Sequence, residues 1–217
     1  MTASLIKLTF PKVHQITLRS FSLYSSQPVI TVDFPDGVFC LAGANGLGKS
    51  TFLSAINYAI TGIVSDPQRK FESVDEYYRY SLKFSADYFT GRIDESDREA
   101  AEVDVEIFVG TNFYHFTRGM FEPSELRSLT VYDTSLPSRN VLIDGADMTP
   151  TERHEEYAKQ IASDVGVNSF EQLVFLQHFV LTFDERRLLL FFEKKILEQA
   201  LYLSFGVDPA RPNAQMR

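Results

Sequence analysis

Hydrophobic and polar positions along this chain follow two different periods. In AEVDVEIFVG (residues 101–110), Val103, Val105, Ile107 and Val109 alternate with Asp104, Glu106 and Phe108. A period of two sends one face of a strand toward a core and the other outward. NFYHFTRGMF (112–121), LRSLTVYD (126–133) and NVLIDG (140–145) continue in that style with short turns between them, which predicts an antiparallel meander. Upstream, VHQITLRS (13–20) and PVITVDF (28–34) carry β-branched residues and end in turn signals, so both read as strands. GVFCLAG (37–43) is a continuous apolar run that stops at glycine, the pattern of a buried central strand.

The helical period begins at Lys49. Phe52, Ile56 and Ile60 recur every four residues and share a face, and Gly62 closes the segment near Thr61. SVDEYYRYSLKFSADYF (73–89) offers Ser73 as an N-cap with Glu76 three residues on. PTERHEEYAKQIASDVG (150–166) reads as a helix capped by Thr151, and the apolar segment SFEQLVFLQHFVLTF (169–183) follows. DERRLLLFFEKKILEQALYLSFG (184–206) reads as a long helix stopped by Gly206.

Composition narrows the partners. The chain has 217 residues, of which 44% are hydrophobic and 13% aromatic, enough for a sizeable core. A lone cysteine, Cys40, excludes a disulfide framework and a cysteine zinc site, and is expected as a small buried residue in its strand. It points to a reducing, cytoplasmic setting. The stretch MTASLIKLTFPKVHQ has no signal-peptide core, and no run approaches the roughly 18 apolar residues of a membrane span. A net charge of −8 does not advertise nucleic-acid binding, so any DNA contact would need a local basic patch. Lys7, Lys12, His14, Arg69, Lys70, Arg79, Lys83 and Arg92 are scattered and read as solvated surface. The acidic stretch 94–106 lacks metal-ligand spacing and reads as a solvated edge.

One stretch carries chemistry. Gly43-Ala44-Asn45-Gly46-Leu47-Gly48-Lys49-Ser50 fits the phosphate-loop pattern G-x-x-x-x-G-K-[ST], between an apolar run and an amphipathic helix. Glycines let the backbone curl until consecutive N–H groups converge on phosphate oxygens, and the following helix aims its positive end at them. Lys49 would reach the β- and γ-phosphates of ATP, Ser50 would offer a hydroxyl to Mg2+, and Thr51 would lie near the α-phosphate.

The same residues carry a family likeness. GANGLGKST, with Asn45 before the middle glycine, resembles the loop of ABC-type ATPases. More narrowly, it is similar to the chromosome-maintenance (SMC) and double-strand-break-repair coiled-coil ATPases. Residues 16–62 have that group's N-terminal order: a strand ending in Arg19-Ser20-Phe21, two more strands, then the loop. The meander at 101–145 falls where such heads carry an antiparallel β-lobe, and QLVFLQHFVLTFDERR (172–187) resembles their Q-loop segment. The run 181–201 resembles ATPase subunits of bacterial anti-phage defence systems such as Lamassu.

The resemblance implies an α/β P-loop NTPase fold, an ABC-type head half with a mixed core sheet, an antiparallel β-lobe and a C-terminal helix leading to a coiled coil. Residues 1–183 would be the N-terminal half of the head, with the β-lobe at about 101–145 and the Q-loop at about 172–183. Residues 184–217 would be the long helix and the start of the coiled-coil connection. ATP and Mg2+ would be the cofactors, held by Asn45, Gly46, Leu47, Gly48, Lys49, Ser50 and Thr51. Arg19 and Ser20 would lie near the nucleotide, and Gln177 would reach Mg2+ and the attacking water. An amide suits that task, since its oxygen binds metal and its nitrogen can orient water. Without the resemblance, Gln177 reads as a polar residue ending an apolar segment, His178 as its neighbour, and Arg19 as an exposed strand-end arginine.

Hydrolysis in that family needs parts this sequence lacks. No apolar strand ends in Asp-Glu, no Ser-Gly-Gly signature occurs, and no late switch histidine follows a strand. The expectation is an N-terminal portion of a longer chain, completed by its own C-terminal half or by a separate chain. A second head, DNA and accessory or effector subunits would be the other partners, with no membrane. Three alternatives stay open: a nucleotide-binding interaction module that never hydrolyses, a P-loop kinase with Arg186 and Arg187 as lid residues, and a transporter ATPase subunit.

Overall fold

The computed structural model describes residues 7–24, 29–66, 71–135, 140–182 and 193–205. Six strands form one sheet: β1 (Lys12–Arg19), β2 (Val29–Asp33), β3 (Glu102–Val109), β4 (Asn112–Gly119), β5 (Ser128–Asp133) and β6 (Asn140–Asp144). Their order is β2-β1-β3-β4-β5-β6, and every pairing is antiparallel. The expected meander is present as β3–β6. It continues into β1 and β2, because β1 pairs with β3 from Lys12↔Phe108 to Arg19↔Glu102. The mixed sheet is therefore corrected to an antiparallel one among the described residues.

Alternation along β3 works as the pattern demands. Val103, Val105, Ile107 and Val109 are buried, and Glu102, Asp104, Glu106 and Phe108 are not. They meet Ile16 and Leu18 of β1, Tyr114 and Phe116 of β4, and Leu129 and Val131 of β5 in one core. Each such fully buried aliphatic side chain contributes roughly 1.5–3 kcal/mol. The opposite face mixes polar pairs with an aromatic row, Phe108, Phe113 and Tyr132. Asp104 accepts from Thr117 at 2.9 Å and lies 3.2 Å from His115, while Arg127 pairs with Glu102 at 3.0 Å and Glu122 at 2.7 Å.

Helices cover the apolar face. α1 (Lys49–Thr61) packs on β3, and α3 (Pro150–Val165) lies against β3 and β5. α2 (Val74–Tyr88) and α4 (Phe170–Phe175) form an outer layer with α3, and α5 (Lys194–Ser204) meets the segment after α4. Ser73 caps α2 by accepting from the Glu76 N–H, as its spacing predicts. The cap of α3 is Thr149 rather than Thr151. Its hydroxyl accepts from Glu152 N–H while Glu152 reaches back to the Thr149 N–H, and Pro150 fills the first helical position.

The largest departure concerns residues 37–43. They form no strand, Val38 is 97% exposed, and Phe39, Cys40 and Leu41 are also at the surface. Cys40 is therefore an exposed thiol rather than a buried strand residue. A run reads as a central strand from its own composition, but it becomes one only when strands pair on both sides of it. None of the described strands does so.

The first part of the predicted closing helix (184–192), with Arg186 and Arg187, lies outside the described residues. So do Gly206 and the tail beyond it, and Arg69 and Lys70.

Candidate nucleotide-binding site

The phosphate loop joins the exposed run to the N-terminus of α1. Gly46 and Gly48 have φ values of 85° and 80°, the left-handed region that side chains with a Cβ disfavour. Gly48 is the N-cap of α1 and makes no side-chain cap bond. A Cβ at Gly46 would meet nothing within 4 Å, so conformation rather than packing requires glycine there. Lys49 folds back over the curl and donates to the carbonyls of Gly43 and Ala44, each at 2.7 Å. Among the described residues, none accepts a hydrogen bond from the main-chain N–H groups of Ala44 to Leu47. Ser50 is exposed and Thr51 half-buried, and no acid stands in the first turn of α1.

This arrangement fits a nucleotide phosphate. Amide donors without an acceptor, an ammonium on the neighbouring Gly43 and Ala44 carbonyls and the positive end of a 13-residue helix all favour an anion. Asn45, Gly46, Leu47, Gly48, Lys49, Ser50 and Thr51 are contiguous with that donor set, and Ser50 carries the hydroxyl a phosphate-bound Mg2+ would use.

Gln177 meets α1 further along the helix. After α4 the chain widens into a π-helical turn, Leu176–Leu181, and Gln177 is its second residue. Its Nε2 donates to Asn57 Oδ1 at 2.9 Å, and Thr182 Oγ1 donates to the same oxygen at 3.2 Å. Asn57 follows Ser50 by seven residues, about 20° short of two full turns, so both lie on one face of α1 about 10 Å apart along its axis. The structure thus brings Gln177 to the Ser50 face of the helix, though not to Ser50 itself.

His178, read as a mere neighbour, is a buried pin. Tyr77 O–H lies 2.9 Å from its Nδ1 and Thr61 Oγ1 lies 3.3 Å from its Nε2. Thr61 O–H donates to the Asn57 carbonyl at 2.6 Å. A neutral ring protonated on Nε2 satisfies this chain, with Tyr77 donating to Nδ1 and Nε2–H donating to Thr61. The π turn is thereby tied to α2 and to the far end of α1.

Arg19 ends β1, and its Nε stands 3.5 Å from Glu102. Ser20 beside it has φ 51°, a left-handed conformation that a non-glycine residue seldom adopts. Among the described residues, no hydrogen bond or ion pair joins either one to residues 43–51. Sequence reasoning missed Asn57 and Thr182. The seven-residue spacing from Ser50 was the available signal for Asn57, but its partner lies 120 positions away.

No curated protein matches the chain. A family model described as an AAA domain matches residues 15–201, a span that holds the sheet except the first three residues of β1, the phosphate loop and Gln177. The chain belongs to that AAA domain family, P-loop ATPase domains found in SMC-like proteins.

Proposed function

We propose that this chain is the ATP-binding half of an SMC-like ATPase head, whose ATP-dependent engagement with a second head and hydrolysis act on DNA, in repair or anti-phage defence. The observation that carries the reading is the exposed run Val38–Leu41, which leads straight into the phosphate loop. Contiguous apolar surface beside a ligand loop marks an interaction site. Strands added against it, from a C-terminal half of the same protein or from a separate chain, would bury it. They would also supply the Asp and Glu that the sequence lacks, one to help hold Mg2+ and one to activate water.

This chain's own residues have distinct work in such a site. The N–H groups of Ala44 to Leu47 hold phosphate oxygens, and Lys49 exchanges its two carbonyl partners for β- and γ-phosphate oxygens. Ser50 offers its hydroxyl to the metal, Thr51 stands by the α-phosphate, and Gln177 faces metal and attacking water. Arg19 and Ser20 flank the nucleotide. Bound Mg2+ supplies charge neutralisation across the phosphates. The second head closes over the γ-phosphate, and ATP biases the pair toward the closed form by binding it better. α5 begins the connection toward a coiled coil.

The test is sedimentation of the full-length protein, with any separate completing chain. ATP and Mg2+ are expected to shift wild type to an engaged pair of heads and to leave Lys49→Ala unshifted. The mutant's ATP affinity is expected to fall by one to two orders of magnitude, as loss of a charge-assisted phosphate bond of about 1.5–3 kcal/mol requires. Wild-type sedimentation that ignores ATP, or unchanged affinity in the mutant, overturns the reading.

A further inference from the structure

We infer that Asn57 is the positioning residue that orients Gln177 for its metal. The inference rests on the reading of Gln177 given above. A glutamine amide is nearly symmetric in shape but not in chemistry: Oε1 binds a cation and Nε2 cannot. Asn57 Oδ1 is an acceptor, and it takes the Nε2–H of Gln177 at 2.9 Å. That bond sets the flip of the amide and leaves Oε1, the end that binds metal, without a partner among the described residues.

Two features fix Asn57 itself. Its oxygen also accepts from Thr182, so it clamps both ends of the π turn. Its carbonyl takes the Thr61 hydroxyl, whose other neighbours are buried His178 and the Ile63 backbone. Helical side chains lean toward the helix N-terminus, which tilts the Asn57 amide toward Ser50 along their shared face. A partner outside the coordination sphere that fixes a ligand's orientation raises metal affinity, and its loss typically costs tenfold or more.

The experiment uses full-length protein with ATP bound and Mn2+ as probe, its affinity read by electron paramagnetic resonance. Exchange of the Gln177 side-chain amide protons in nucleotide-free protein is the second readout. Asn57→Leu is expected to weaken Mn2+ about tenfold, to leave metal-free ATP binding as in wild type, and to speed amide exchange. Asn57→Asp keeps the acceptor and is expected to restore both. In a Gln177→Ala background, Asn57→Leu is expected to have no further effect. Should Asn57→Leu fail to fold, Asn57→Ser is too short to reach Gln177 and serves in its place. Unchanged or tighter Mn2+ binding in the Leu or Ser variant, with Gln177→Ala weakened, overturns the orienting role of Asn57 alone. Unchanged Mn2+ binding in Gln177→Ala overturns the role of Gln177, and this inference with it. Loss of ATP binding in Lys49→Ala alone distinguishes the phosphate loop from both.

Discussion

The two ends of α1 are built to opposite rules. At the C-terminal end the carbonyls of Asn57, Tyr58, Ala59 and Ile60 each have a named donor. They are Thr61 Oγ1 at 2.6 Å, Gly62 N–H at 2.7 Å, Arg118 Nε at 3.2 Å and Tyr157 O–H at 2.7 Å. Arg118 is fully buried, and its charge complements the negative end of the helix. At the N-terminal end the loop is exposed, and the N–H groups of Ala44 to Leu47 have no acceptor among the described residues. A helix leaves orphan groups at both ends. Here the protein satisfies the carbonyl set itself, while the open amides lie in the loop that leads into the N-terminal end, so rigidity at one end positions adaptability at the other.

Breaking the closed end has the largest expected effect. Arg118 also donates to the carbonyls of Pro123 at 2.5 Å and Glu125 at 3.2 Å. Arg118→Met strands these acceptors in the core, and unsatisfied buried groups cost about 1–3 kcal/mol each. A loss of roughly 4 kcal/mol is expected by chemical denaturation, after allowing for relief of the buried charge. Gly62→Ala attacks the same end through the backbone. Gly62 has φ 70°, and a Cβ there would sit 2.1 Å from the Pro123 carbonyl oxygen. Left-handed strain plus a displaced backbone predicts a loss of roughly 3 kcal/mol. Wild-type stability in either variant breaks the contrast between the ends.

A pH experiment sharpens it. His154 stands 3.4 Å from Arg118 Nη1, and burial, helped by that guanidinium, pushes its pKa down to about 3. Its unfolded value is about 6.5. Above pH 6.5 the ring is neutral in both states and the folded protein keeps its full stability. Below pH 6.5 the unfolded chain takes up a proton that the folded chain refuses, so stability falls until about pH 3. The expected contribution is up to about 1.4 kcal/mol per pH unit. His154→Gln keeps an acceptor for Arg118 and is expected to remove that part of the slope. Identical slopes between pH 4 and 6 for the two proteins would contradict a buried neutral ring.

Much of this was legible in short stretches, because periodicity and capping are local. Val103 to Val109 announced β3 by parity, and Ser73 with Glu76 announced the start of α2. Tyr114, Phe116 and Arg118 also share parity along β4 and are all buried, a signal that the reading of the meander left unused. The cap of α3 is Thr149 and not Thr151 because Pro150 takes the first helical position, where its missing N–H costs nothing. What stayed hidden depends on contacts distant in sequence. The pairing of β1 with β3 joins residues more than 80 positions apart, and the Gln177–Asn57 bond spans 120. The exposed run before the loop shows the same limit from the other direction. Composition says that Val38 and Leu41 belong against something apolar, but not whether this chain provides it.

The smallest expected effect is also the most discriminating, because it repeats one substitution at the opposite end of α1. Gly46 is as left-handed as Gly62, yet a Cβ there meets nothing within 4 Å. In an exposed loop the backbone of Gly46→Ala can relax away from its strained conformation without disturbing the core, so the loss of stability is expected to stay within about 1 kcal/mol. ATP reverses that freedom. To aim its N–H groups at phosphate the loop must return to the left-handed form, and the strain then appears in binding. About 1 kcal/mol corresponds to roughly fivefold weaker ATP. Denaturation and calorimetric titration of the same variant separate the two costs. If Gly46→Ala lost as much stability as Gly62→Ala, the loop would be a packed element of the fold, and the open end of α1 would be no more open than the closed one.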